Sequence, residues 1–262
     1  MQVTDKAYQE HCVFAELQRY MKFYEQLSMS VFSFTTMGTK AICNIDTYVY
    51  SSMQGTLESM TTILLAGRIN DAYALLRKYH DSAVINVYSN LYLHDNFSIE
   101  NFIVEKINNW LQGKEKLPEY RVMSRYIKAS KAVKPINDVL GMDERYKRLR
   151  DRCNDHTHYN FYRHAMLNDN EIHIDNRGWW LDRFSKDVRD LFVLHLGYIF
   201  FLNGHYMMSS DHLDALECGV QPEDDSQYWV APFIQELFDD VITPRRPDVT
   251  AAIKANSAMQ LS

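Results

Sequence analysis

Glycine, proline and cysteine are all scarce in this sequence. Its 262 residues include nine glycines and six prolines, which is few for the many turns of an all-β or α/β protein. The four cysteines are far apart and form no C-x-x-C pair, so we expect reduced thiols and exclude a disulfide framework. These absences favour a protein built from long helices.

Long apolar segments and excess positive charge are also missing. The most apolar window, residues 191–202, contains His195 and is much shorter than the roughly twenty residues of a membrane-spanning helix. The N-terminal residues are polar and mixed in charge, unlike a secretory signal. A net charge of −6 argues against non-specific binding of the whole surface to DNA or anionic membrane. We therefore expect a cytoplasmic protein that binds neither membrane nor DNA.

Apolar residues recur at three- and four-residue spacing over much of the chain, a pattern typical of helices with one buried face. The short link around Gly67, a residue suited to a helix end, predicts that the helices on either side are antiparallel. Alternation over residues 171–174 is typical of a short strand. The predicted long helices are residues 5–28, 41–66, 70–94 and 181–208. The predicted fold class is all-α, an antiparallel bundle of long helices with extra C-terminal helices.

The chain contains no internal repeat and no low-complexity linker, which favours one domain. We expect this single helical domain to cover residues 1–243. The remaining residues, 244–262, begin with Pro-Arg-Arg-Pro and are rich in alanine and serine, which predicts a flexible C-terminal tail.

Chemically active side chains are concentrated in residues 148–160, whose sequence is RLRDRCNDHTHYN. Residues four apart share a helix face, which groups Arg152 with His156, and Asn154 with both Arg150 and His158. Arginine is a permanent forked cation for phosphate oxygens, and histidine can exchange a proton near neutral pH. Cleavage of RNA through its own 2′-hydroxyl needs a base, an acid and positive charge at the phosphorus. The segment therefore predicts RNA cleavage without a metal or cofactor.

At these residues the sequence resembles the HEPN superfamily, helical-bundle proteins found among bacterial toxins, abortive-infection factors and RNA-targeting effectors. The family motif is an arginine, often followed by a polar residue, and then a histidine after four to six intervening residues. Two overlapping matches are present: Arg150 with Asp151 and His156, and Arg152 with Cys153 and His158. The polar residue after the arginine, Asp151, favours the first match. The second is favoured because residues 154–160 are similar to the motif Asn-Asp-x-x-His-x-Asn of helical relatives of this group. Both matches stay open.

A second segment, residues 64–81, resembles the helix-turn-helix that precedes the motif in such bacterial proteins, so the resemblance covers about residues 41–208. It implies a homodimeric endoribonuclease of toxin or antiphage type, with the active site at the dimer axis and an antitoxin or activator as a further partner. The arginines would stabilise the scissile phosphate, His156 or His158 would act as base and acid, and Asn154 would orient the imidazole or the phosphate. The remaining candidates, expected to contact the substrate or to orient the motif, are Arg148, Asp151, Asp155, Arg77 and Asp81.

The same residues allow a second function, a non-catalytic helical interaction or RNA/nucleotide-binding module. Arginine-rich helices are usually solvated faces that pair with nearby carboxylates. A metal centre is not expected, because His156 and His158 are two positions apart and diverge by about 200° on a helix. Trp179 and Trp180 could stack on bases, although aromatic residues scattered along a chain more often fill helix interfaces. The ribonuclease requires an Arg/His face that solvent can reach beside a two-fold contact; the module allows that face to be buried or split.

Overall fold

The computed structural model describes residues 1–32, 34, 38–42, 45–172, 174–221, 229–257 and 259–262. All regular secondary structure in these residues is helical, which confirms the all-α prediction. The long helices are α2 (Cys12–Val31), α3 (Ile45–Leu65), α4 (Ile69–Asn96) and α10 (Arg177–Leu202). The shorter helices are α1 (Lys6–Gln9), α5 (Glu105–Leu111), α6 (Tyr120–Ala129), α7 (Lys134–Leu140), α8 (Arg145–Thr157), α9 (Tyr162–Met166), α11 (Ser210–Glu217), α12 (Pro232–Leu237) and α13 (Pro247–Asn256). Across these residues, no helix combines the length and the apolar character needed to cross a bilayer.

A glycine turn separates α3 from α4, as the sequence predicts. The Gly67 amide donates to the Leu64 carbonyl at 2.8 Å, and the Arg68 amide donates to the Ile63 carbonyl at 3.0 Å. These two bonds are those of a Schellman motif, which closes a helix with a residue in the left-handed conformation. Gly67 has a φ of +82°, and a Cβ there would lie 2.5 Å from Cγ2 of Val3. Both the backbone and the neighbouring side chain therefore require glycine.

Three predicted helices have different bounds in the structure. The helix predicted over residues 5–28 is divided into α1, Lys6–Gln9, and α2, Cys12–Val31. The helix predicted over residues 41–66 is replaced by a 3-10 segment, Gly38–Ile42, and by α3 from Ile45 onward; residues 43–44 lie outside the described part of the chain. The helix predicted over residues 181–208 begins earlier and ends earlier, and a 3-10 segment, Gly204–Met207, follows it. Periodicity located these helices but not their ends.

The strand predicted at residues 171–174 is not present in the residues that are described there; His173 is outside them. The Asp169 carboxylate accepts the amides of Glu171 and Ile172 at 2.8 and 3.0 Å. The guanidinium of Arg177, which is fully buried, donates to the carbonyls of Asp169 and Ile172 at 2.8 and 3.1 Å. These bonds hold the segment as a turn because they use the groups that a strand would pair with a neighbour.

The region beyond residue 243, predicted as a flexible tail, contains a helix. This helix, α13, buries Val249 and Ile253. The Arg246 guanidinium at its start donates to the Asp248 carboxylate at 2.7 Å and to the Val139 carbonyl at 3.3 Å. Apolar burial and these bonds order a segment whose composition alone favours flexibility.

The chain packs as two compact units, a division that the sequence analysis does not predict. The first unit comprises residues 1–26, 48–83 and 143–192, and the second comprises residues 27–47, 84–142 and 193–262. The four long helices each contribute residues to both units.

An aromatic cluster fills the core of the first unit. The ring of Tyr20 stacks on Phe192 with centroids 4.1 Å apart, and Phe23 meets Phe192 edge-on at 5.2 Å. The hydroxyls of Tyr24 and Tyr79 are 2.8 Å apart and form a buried hydrogen bond. Large rings contribute much buried apolar area, and each polar tip needs a partner when it is buried. The cluster agrees with the expectation that aromatic residues scattered along the chain fill helix interfaces.

The core of the second unit contains a buried carboxylate, Asp46 of α3. It accepts hydrogen bonds from Lys40 at 2.8 Å, Asn86 at 3.0 Å, Asn90 at 2.8 Å and Tyr206 at 3.0 Å. Burial opposes ionisation, but the Lys40 charge and these bonds hold the pKa of Asp46 below its ordinary value. Four donors thus stabilise the charge that burial would otherwise exclude.

Candidate functional site

The predicted Arg/His motif lies on α8, which begins beside a capping carboxylate. The Asp143 side chain accepts the Arg145 amide at 2.9 Å. Leu149, Cys153 and His156 are buried at four- and three-residue spacing, and they fix the inward face of the helix. Tyr159 has a φ of +49°, a left-handed conformation that follows the end of the helix. The motif is therefore divided between a face that is buried and one that is partly exposed.

Arg152 lies on the inward side and is paired with Asp187 of α10. Its Nε donates to one carboxylate oxygen at 2.8 Å, and an Nη donates to the other. Asp187 is almost fully buried and also accepts the Tyr73 hydroxyl at 3.2 Å. Burial opposes the charged guanidinium, but the bonds and charge of Asp187 hold the pKa of Arg152 above its ordinary value. This arginine, predicted to hold a substrate phosphate, is neutralised within the fold.

His156 is buried inside a stack of rings. Its solvent exposure is 0%, and its ring lies between those of Tyr73 and His164, with both centroids 3.9 Å away. Trp180 meets it edge-on at 5.6 Å. Its Nδ1 is 2.9 Å from the side-chain oxygen of Asn70, and because that oxygen only accepts, Nδ1 carries the proton.

The protonation state of His156 follows from this environment. Nε2 is buried and has no hydrogen-bond partner. Burial, followed by the nearby charges of His164, Arg152 and Arg163, lowers the pKa of His156 to about 3. The ring is therefore neutral near pH 7 and out of reach of a substrate. Its burial argues against the predicted role as general base or acid.

Arg77 and Asp81, expected to orient the motif from α4, form a pair on their own helix. Their closest atoms are 3.1 Å apart, and the Asp81 carboxylate also lies 3.2 Å from Nδ1 of the buried His80. Burial lowers the pKa of His80; Asp81 opposes this shift, whereas Arg77 and Arg150 reinforce it. Burial also raises the pKa of the Cys153 thiol, so this cysteine is not an activated nucleophile.

The remaining predicted residues are exposed or partly exposed. Arg148, Asp151 and His158 are exposed, and Asn154 and Asp155 are half-buried. The Asp155 carboxylate accepts the Asn160 amide at 2.8 Å.

The helix faces follow the four-residue grouping and separate both motif matches. Arg152 and His156 face inward together. Arg150, Asn154 and His158 follow each other at four-residue spacing on a second line, and the first and last of them are about 12 Å apart along the helix axis. Each match therefore has one member in the interior network and the other on the partly exposed line.

A cavity that the sequence analysis did not locate lies beside α9 and the start of α10. Its volume is about 420 Å³, and its lining includes Arg163, Met166, Ile174, Asn176, Trp179 and Trp180. Such a volume falls within the usual range of small-ligand sites. Adjacent tryptophans were the only sequence signal for it, and that signal does not distinguish a cavity wall from a helix interface.

Two indole rings form a corner of this cavity. Trp179 and Trp180 have centroids 4.8 Å apart and planes at 87°. Trp180 is anchored because its ring meets His156 and His164 edge-on. Trp179 is 54% exposed, so its side chain is available to a ligand. The buried His156 stack thus supports the wall of the cavity.

A cation lies at the same cavity. The Arg163 guanidinium sits 5.2 Å from the centroid of Phe161 and 5.7 Å from that of Trp180. Phe161 is half exposed. Cation–π contacts of this kind orient a guanidinium while leaving its N–H groups able to bind an anion.

In the described residues, His11, Cys12 and Asp182 have ligand atoms close enough to hold a metal ion. The Val13 amide donates to Nδ1 of His11 at 3.2 Å, so the proton of the neutral ring is on Nε2. That nitrogen lies 3.2 Å from the Asp182 carboxylate and donates to it. Both ring nitrogens are engaged, an arrangement that describes a hydrogen-bonded histidine rather than a metal ligand.

Comparison of the chain with protein-family models, curated proteins and solved structures finds no match. The residues and their geometry therefore carry the functional argument.

Proposed function

We propose that this chain is a non-catalytic helical binding module in which the Arg/His segment of α8 supports the fold. The observation that carries the proposal is the complete burial of His156, which is stacked between two rings and hydrogen-bonded to Asn70. A general base must come within hydrogen-bond distance of the proton it removes. A ring with no exposed surface and a pKa of about 3 does not meet that requirement near neutral pH.

The pairing of Arg152 supports the same proposal. Its charge is matched by Asp187 through two hydrogen bonds. Removing it from that carboxylate to bind a phosphate would leave a buried charge with fewer partners, which is costly. The inward residues of the motif, Arg152 and His156, thus serve to stabilise the fold.

The surface around α9 has the composition of a binding surface. Phe161, Tyr162 and Trp179 are 50%, 83% and 54% exposed, and Arg163 lies between aromatic rings. Aromatic residues and arginine are enriched at binding interfaces and dominate their hot spots. We place the binding function here. A cytoplasmic location is part of the proposal, because exposed Cys12 and Cys218 stay reduced there.

A ribonuclease of the HEPN type is the second candidate, and one observation favours it. Arg150, Asn154 and His158 share a line of α8 that is not fully buried, so a second copy of the chain could bring matching groups to it. In this version Arg150 binds the phosphate, His158 moves the proton, and the protein is a homodimeric toxin or antiphage factor with RNA as substrate.

RNA cleavage distinguishes the two functions. Purified wild-type protein and the His158→Ala variant would be incubated with end-labelled total RNA in EDTA, with circular dichroism as a check on folding. We expect no cleavage by either protein. Metal-independent cleavage by the wild type that disappears in a folded His158→Ala variant would overturn the binding module and establish the ribonuclease.

A further inference from the structure

We infer that the cavity beside Trp179 binds a nucleobase of single-stranded RNA, with the attached phosphate at Arg163. This inference rests on the proposed function, because it assigns a ligand class to the binding surface around α9. It does not depend on catalysis at α8.

The two tryptophans present a perpendicular corner to an entering ring. Because their planes meet at 87°, a flat ring that stacks on the exposed Trp179 lies roughly perpendicular to Trp180. Stacked and edge-to-face contacts are both favourable geometries for aromatic rings. Trp179 is 54% exposed and Trp180 is 6% exposed, so Trp179 offers the stacking surface, and every base has a face suited to such stacking.

The polar groups of the cavity match the remaining parts of a nucleotide. Among the residues named as its lining, Arg163 is the charged one and carries positive charge. Its guanidinium, oriented by Phe161 and Trp180, can form paired hydrogen bonds with phosphate oxygens. The Asn176 amide offers both a donor and an acceptor, which suits a base edge that presents both, such as that of adenine.

An aromatic side chain of a peptide fits the cavity less completely. Its ring would use the exposed indole, but the ring itself carries no anion for Arg163 and no paired donor and acceptor for Asn176. Arg163 and Asn176 are exposed, so a peptide would have to match them with groups from other residues, whereas a nucleotide carries ring, base edge and phosphate in one unit. A nucleotide meets all three features, so the chemistry favours single-stranded RNA over a protein ligand.

Binding of labelled oligonucleotides tests this inference. Fluorescence anisotropy would follow binding of 5′-labelled ten-nucleotide oligoadenylate and oligouridylate to the full chain, with AMP and an aromatic peptide as competitors. The variants are Trp179→Ala and Arg163→Gln. The matched controls are Tyr48→Ala and Arg121→Gln, which replace exposed residues outside the cavity. Circular dichroism verifies folding, and because Trp179 is half exposed its replacement leaves the core intact.

We expect Trp179→Ala to weaken oligoadenylate binding roughly tenfold or more, since one stacked base is lost. We expect Arg163→Gln to weaken binding and to reduce the salt dependence by about 0.7 in the slope of log K against log salt. The control variants should bind like the wild type. Tighter binding of the oligonucleotide than of AMP assigns the site to RNA; equal affinities would keep the nucleobase pocket but assign it to free nucleotides.

Three results would overturn the inference: no binding of oligonucleotide or AMP at millimolar concentration, binding that Trp179→Ala does not change, or displacement by the aromatic peptide alone. These outcomes are separate from failure of the proposed function, which is read from RNA cleavage in EDTA. If the protein cuts no RNA and binds no nucleotide, the nucleobase ligand is wrong, and the proposal that α8 is non-catalytic stands.

Discussion

Replacing His156 by glutamine should reduce the sensitivity of the fold to acid. The folded protein holds the pKa of this ring at about 3, whereas an unfolded chain has a histidine pKa of about 6.5. The unfolded state therefore takes up the proton first, and protonation favours unfolding. The corresponding stability is present above pH 6.5 and is lost as the pH falls towards 3. Glutamine does not titrate, and its amide can still donate to Asn70.

The magnitude follows from the two pKa values. Between pH 7 and pH 5 the free energy of unfolding falls by about 2 kcal/mol through this one group, because each pKa unit corresponds to about 1.4 kcal/mol. His195 is also buried, is 2.9 Å from Asn86, and has a pKa of about 3. Its protonation lowers the free energy of unfolding as well, so the wild type loses more stability between pH 7 and pH 5 than His156 alone explains. The difference between wild type and variant isolates His156.

Urea unfolding at pH 5, 6 and 7, followed by circular dichroism, measures this difference. The His158→Gln variant is the matched control, because it removes an exposed imidazole from the end of the same helix. We expect the control to follow the wild type and His156→Gln to lose about 2 kcal/mol less between pH 7 and pH 5. Equal losses in the wild type and His156→Gln would refute the burial of this ring, and with it the main support for a non-catalytic α8.

Three further substitutions test other contacts by urea unfolding at pH 7. Arg152→Ala should lower the free energy of unfolding by about 3 kcal/mol because it leaves the buried Asp187 without its main partner. The control Arg148→Ala, on the exposed side of α8, should change it by less than about 0.5 kcal/mol. Similar effects of the two substitutions would contradict the buried pair. Asp46→Leu should cost about 3 kcal/mol or more, because it leaves buried donors unpaired; a neutral result would contradict that network. Gly67→Ala should cost about 1–2 kcal/mol from its left-handed backbone alone, and unchanged stability would contradict the turn.

The helices were the most predictable part of the fold, because apolar spacing is a local property of the sequence. The apolar residues of α2 and α4 recur at three- and four-residue spacing. The turn at Gly67 follows from the conformational freedom of glycine. Helix ends and the segment at 171–174 were less predictable, since they depend on hydrogen bonds from distant groups. Arg177, for example, reaches two carbonyls of that segment.

Sequence spacing grouped the candidate site residues correctly but could not say which group faces inward. That choice depends on Asp187, Tyr73 and Asn70, which lie on other helices. None of these three residues carries a local signal for such a contact. The Asp46 network was missed for the same reason, because its four donors come from three separate parts of the chain.

Helical geometry sets a further condition on the ribonuclease candidate. In both motif matches the arginine and the histidine are six positions apart, which corresponds to a rotation of about 240° around the helix. Within one chain, neither match can therefore place both groups on one phosphate. The line of Arg150, Asn154 and His158 takes one residue from each match, and its arginine and histidine are about 12 Å apart along the helix. Catalysis on this line would therefore use a second copy that brings matching groups to the same phosphate. The solution mass of the active species therefore tests this candidate: a dimer in which solvent still reaches His158 fits the site, and a monomer that cleaves RNA would contradict it.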